Sequence, residues 1–122
     1  MNNDQSVEQE IQAKGLTAPR VTPQDIEANI DAEYFFTAAD GVFGAEPERR
    51  LAATSATHRL TFCVLVLKNG FTVTGESSCA SPENFDADLG RKIARQNAVQ
   101  KIWPLMGYAL QQGSRGGVQS RT

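Results

Sequence analysis

Histidine occurs once in this sequence, at His58, and cysteine only twice, at Cys63 and Cys79. One imidazole and two widely spaced thiols do not make a zinc-ligand pattern, and no hydroxyl or thiol nucleophile has a matched base. There is no G-x-S-x-G elbow, Walker loop or dinucleotide glycine motif. No apolar run approaches the roughly 20 residues that span a bilayer. The opening MNNDQSVEQE has neither the basic stretch nor the apolar core of an export signal. These absences predict a non-enzymatic, cofactor-free chain with no membrane partner, its two thiols reduced in a cytosol. The acids Glu83, Asp86 and Asp88 cluster, but at a predicted helix start, where they complement the helix dipole rather than bind a metal.

Excess basic charge is also missing: the formal net charge is -2, which excludes a protein that coats nucleic acid through overall charge. The charge is nevertheless segregated. Met1 to His58 carries ten acidic and four basic residues, whereas Arg59 onward carries four acidic and eight basic. Either the two halves attract each other, which is the expectation, or the second half offers a modest basic surface.

What is present centres on Leu60 to Glu76, where two β-rich runs flank Asn69-Gly70, the pairing favoured in two-residue type I′ hairpins. A two-residue loop sets Val66 opposite Val73 and Val64 opposite Gly75. That register predicts an apolar face of Phe62, Val64, Val66, Phe71 and Val73 directed at the helices. It leaves Leu65 and Leu67 on a second, mixed face. It also places Cys79 opposite Leu60 and away from Cys63, which argues against a disulfide. Because an isolated two-stranded hairpin is marginal in water, Leu65 and Leu67 are the candidate oligomer face and a homo-oligomer, a dimer, is expected.

Around the hairpin, Thr22-Pro23 with Asp25 signals a helix start, and Ile26, Ile30 and Tyr34 continue it as a stripe at four-residue spacing. Phe35 to Ala56 loses this periodicity and is predicted as a long loop that is a functional lid, a partner-binding segment or partly helical. Ser81-Pro82-Glu83 announces a second helix reaching Trp103, where Pro104 kinks it or opens a short final helix through Leu110. Gly90, Ala94 and Ala98 form a small-residue stripe on it that admits a close backbone. Ser6 and Gln9 suggest a short helix ended by Gly15. The predicted architecture is α+β, a hairpin packed against two main helices in α-β-β-α order. It divides into a polar N-terminal segment 1–18, a single domain 19–112 and a disordered tail 113–122.

One basic run stands out. Arg91-Lys92-Ile93-Ala94-Arg95, with Lys101 beyond it, resembles the phosphate-gripping run of double-stranded RNA-binding domains. It departs from that pattern in showing two strands, in lying past the helix's first turn, and in lacking a groove-entering loop. Arg91, Lys92, Arg95 and Lys101 are therefore candidate nucleic-acid or anion contacts, against the alternative of a solvated face paired with the acidic half.

The succession R-V-T-P-x-D-I-E (Arg20 to Glu27), C-x-L-x-L-x-N-G-F-x-V-x-G (Cys63 to Gly75), P-E-N-F-D (Pro82 to Asp86), G-R-K-x-A (Gly90 to Ala94) and K-I-W-P-L-x-G-Y-x-L (Lys101 to Leu110) resembles the phage N4 gene 49 / phage Sf6 gene 66 family. The resemblance implies a phage or prophage origin and action in the cytoplasm of the bacterial host; it transfers no activity. Pro23, Gly70, Pro82, Gly90 and Trp103 read as caps, turn and core anchors, whereas Asn84 and Phe85 are candidates to edge a pocket beside Tyr108. The expected role is an accessory protein that binds a host or phage macromolecule. The alternatives are nucleic-acid binding through the basic second helix and sequestration of a small nucleotide at an oligomer interface.

Overall fold

The computed structural model describes residues 3–15 and 18–116. Its order is α1 (Asn3–Ala13), α2 (Pro23–Ala28), β1 (Ile30–Thr37), α3 (Ala38–Ala45), β2 (Leu60–Leu67), β3 (Thr72–Ser78), α4 (Ala87–Gln100) and α5 (Ile102–Gly116). Short 3-10 turns at Ala56–Arg59 and Pro82–Asn84 precede β2 and α4. The α+β class is as predicted. The chain groups into two compact units: residues 1–29 with 102–122, and residues 30–101.

The first unit is helical. The helix expected from Ser6 begins earlier, at Asn3, and Gly15 follows it with φ +69°. Glu8 is buried, accepting from the Arg20 guanidinium at 2.7 Å and from Gln12 at 2.9 Å, so its charge is paired. Thr22 and Asp25 form the predicted capping box, with Pro23 opening α2 and Ile26 buried. The second helix expected to reach Trp103 instead stops at Gln100, and α5 starts at Ile102, with Pro104 in its first turn, where a missing N–H costs nothing. Trp103 Nε1 donates to Asp4 at 2.9 Å. α5 continues to Gly116, into the segment predicted as a disordered tail; positions 117–122 of that tail lie outside the described residues.

The second unit is a three-stranded antiparallel sheet in the order β1-β2-β3. Its edge strand β1 corrects the predicted long helix. Ile26, Ile30 and Tyr34 are four apart, and an even spacing puts residues on one side of a strand as well as of a helix. α2 ends at Ala28, and IDAEYFFT, rich in aromatics, pairs with β2 through Tyr34 with Val64 and Phe36 with Phe62. The predicted loop after it contains α3, whose capping box of Thr37 and Asp40 repeats that of α2.

The hairpin lies where predicted, but its register is corrected by one residue. Leu67 pairs with Phe71 around a three-residue loop, Lys68 to Gly70, in which only Gly70 has positive φ (+91°). Asn69 uses its side-chain oxygen to accept from Phe71 N–H at 2.9 Å, an Asx turn rather than a left-handed backbone. Val73 therefore opposes Leu65 and Gly75 opposes Cys63. A one-residue slip turns one strand over relative to the other, so β2 changes face while Val73 stays buried on the helix side, as predicted. Thr61, Cys63, Leu65 and Leu67 are buried, while Phe62, Val64 and Val66 are half-buried and Phe71 is 52% exposed. Leu65 and Leu67, predicted as an oligomer face, are core residues.

α4 covers the Cys63 face through the predicted small-residue stripe. Gly90, Ala94 and Ala98 are buried, and a Cβ placed on Gly75 would lie 2.3 Å from both Ala94 O and Ala98 N. Helix and strand backbones are in direct contact there. Cys79 pairs with Arg59, not Leu60, so it shares the face of Cys63 but stands four residues along from Gly75, roughly 13 Å. That separation leaves both thiols free.

Candidate functional site

Between the C-terminal end of β3 and the first half of α4 lies a cleft of about 270 Å³. Asp86 caps α4 by accepting from Leu89 N–H at 3.1 Å, which orients the helix so that Leu89 and Ile93 form one wall of the cleft. Both are exposed, at 53% and 38%. Ser77, Ser78 and Arg59 supply the polar wall, and Asn84 and Phe85, from the turn before α4, edge it. The predicted pair Asn84 and Phe85 thus borders a real concavity. Tyr108, its predicted companion, is not among the cleft's lining residues; it is on α5, in the other unit, and 69% exposed.

Arg59 is the residue that the sequence reading missed. Its Nε donates to Cys79 O at 3.0 Å and its Nη1 to Thr54 O at 3.2 Å, so two of its five N–H donors brace the loop on either side. Cys79 Sγ donates to Ser81 O at 3.2 Å, holding the chain at the cleft rim. The Ser81 hydroxyl, at 2.5 Å, holds the Glu83 carboxyl below its ordinary range, helped by Glu83's own backbone N–H and by the Arg59 charge. The sequence signal for Arg59 was its place two strands away from Asn84, visible only once Cys79 is known to pair with it.

The basic run of α4 is on a different side of the helix. Arg91 pairs with Asp88, and Arg95 Nε donates to Glu33 on β1 at 2.7 Å. The second pair joins the acidic half of the chain to the basic half, as does Lys68 with Asp31 at 3.5 Å. Lys92 is exposed. Lys101 caps the C-terminus of α4, ten residues from Arg91, about 15 Å along the axis. It does not extend the Arg91 stripe. With β1 present, the strand count departs from the double-stranded RNA-binding pattern no longer, but the basic run still lies beyond the first turn of α4.

His58 Nε2 lies 3.2 Å from Ala52 O and its ring 6.3 Å from that of Phe43, a bracing role beneath α3. Among the described residues no three His, Cys, Asp or Glu side chains gather as a metal site, and no helix is long and apolar enough to cross a membrane. Burial pushes the Cys63 thiol up to about 11, with Glu33 adding to the shift and Arg95 opposing it.

Searches of curated proteins and of solved structures each found no match to the chain. A family model does match it, over residues 21–113, from the start of α2 into α5. That span takes in the whole sheet, the cleft and α4, and the chain therefore belongs to the Phage protein (N4 Gp49/phage Sf6 gene 66) family.

Proposed function

We propose that this phage-family chain is a non-enzymatic binding protein, acting inside the infected bacterium, whose cleft between β3 and α4 takes a short segment of a host or phage protein. The observation that carries this reading is the composition of the cleft. Leu89 and Ile93 offer exposed apolar surface opposite Arg59, Ser77 and Asn84. Such a site suits an apolar side chain followed by a carboxylate, the side chain desolvated on Leu89 and Ile93 and the carboxylate meeting the unused guanidinium donors. Affinity capture from the bacterial host with the full chain tests it. A partner that elutes with the native chain should be lost, by at least about tenfold, with Leu89→Asp or Ile93→Asp. Both positions are exposed, so the variants should keep the native melting temperature. Equal recovery with the variants would remove the cleft from the reading.

The presence of β1 keeps a second reading in play, in which Arg91 and Lys92 contact the phosphates of duplex RNA. Ion pairing of Arg91 with Asp88 and of Arg95 with Glu33 lowers their charge available to a phosphate. Retention on duplex RNA that falls steeply with salt and disappears in Lys92→Glu would put this reading first.

A further inference from the structure

We infer that the open face of the sheet is an interface with a second copy of this chain, stacked face to face about a two-fold axis perpendicular to the strands. Within the unit 30–101, α4 packs on the Cys63 face, and α3 with the adjoining 3-10 turn lies at the end where β1 stops and β2 begins. The opposite face carries Ala32, Tyr34 and Phe36 from β1 beside Phe62, Val64 and Val66 from β2. Tyr34 is 57% exposed and Phe36 39%, and the Phe36 and Phe62 rings meet at 5.7 Å.

The face is complementary to itself in size and in charge. An axis through the row Tyr34, Val64 and Thr74 reverses the strands, so the row Phe36, Phe62 and Glu76 of one copy lies over the row Ala32, Val66 and Thr72 of the other. Off the axis large side chains meet small ones, and on it Tyr34 meets the Tyr34 of the other copy, at the spacing of roughly 10 Å between stacked sheets. The same operation carries Glu76 to the end of the partner's sheet where Lys68, which pairs with Asp31 of its own chain, leads into the turn, so Glu76 adds a second acid to that pair on each side of the axis. Tyr34 and Phe36 are only partly exposed and Phe62, Val64 and Val66 half-buried, so their remaining surface, with that of the threonines and Glu76, comes to on the order of 1,000 Å² over the two copies, at the threshold for a specific contact. The dimer is therefore weak and concentration-dependent. This surface lies on the far side of the sheet from α4, so it does not depend on the proposed role of the cleft.

Sedimentation equilibrium of the full chain across a wide concentration range tests the inference. A monomer–dimer equilibrium is expected, and Tyr34→Lys, at an exposed position, should weaken it at least about tenfold with the fold intact by circular dichroism. Glu76→Lys and Lys68→Glu should each weaken it, and the double exchange should restore it, a rescue that damage to the fold would not produce. A chain that stays monomeric throughout overturns the inference and leaves the face to another partner. So does a dimer indifferent to Tyr34→Lys, or one that the double exchange does not restore.

Discussion

Gly75 is where the sheet and α4 come closest, and the contact is between backbones. A methyl group there would sit 2.3 Å from Ala94 O and Ala98 N, atoms that move only if the whole helix moves. Gly75→Ala should therefore cost about 2–3 kcal/mol, the upper part of the usual range for overpacking a tight core, measured by urea denaturation. Cys63 is fully buried beneath the same helix, and Cys79 is only half-covered. Iodoacetamide should modify Cys79 in the native protein and reach Cys63 only on unfolding, as mass spectrometry of the labelled peptides would show. The Cys63 thiol titrates near 11 when folded against 9.0 for the ordinary group. Between these values the folded chain keeps a proton that the unfolded chain has released. The associated stability is complete below pH 9 and falls as the pH rises toward 11. Urea midpoints at pH 8.5 and 10.5 should show a loss in the native chain that is smaller in Cys63→Ala.

The helices of the sheet unit are defined by their starts. Thr37 and Asp40 cap α3 reciprocally, with bonds of 3.1 and 2.9 Å, and Asp86 caps α4. Thr37→Ala removes one side of the α3 box and should cost about 1 kcal/mol, again by denaturation. The cap of α2 was legible because Thr22 is followed by proline. Thr37 was not, because its helix directly follows a strand that had itself been read as helix and loop. The hairpin was legible as an element and not as a register. Asn69 was assigned to a left-handed turn position, yet it spends its side chain on Phe71 N–H, and the loop takes in Lys68 as a third residue. Each β2 residue consequently lies on the face opposite to the one predicted, whereas Val73 of β3 keeps its predicted helix-facing side, and Leu65 and Leu67 passed from expected surface to core.

For the molecule as a whole, the segregation of charge along the sequence is partly spent within the fold. Arg95 meets Glu33 and Lys68 meets Asp31, joining the basic half to the acidic one in the sheet unit. These side chains are substantially exposed, and such pairs contribute about 0–1 kcal/mol each. Stability should therefore change by less than about 1–2 kcal/mol between low and moderate salt, measured by urea midpoints at the two ionic strengths. The sequence by itself determined what a few neighbouring residues decide: the cap at Thr22, the site of the hairpin, the small-residue stripe of α4 and the segregation of charge, whereas the cap expected at Ser81 opens only a 3-10 turn and α4 is capped by Asp86. Each depends on bonds closed within a turn or two of chain. Tertiary structure decided that Ile30 to Thr37 is a strand, which face of the hairpin is buried, and that Arg59, Asn84 and Ile93 share one cleft. Those outcomes depend on pairings between segments far apart in sequence, and a spacing of four or an Asn-Gly pair fits more than one of them.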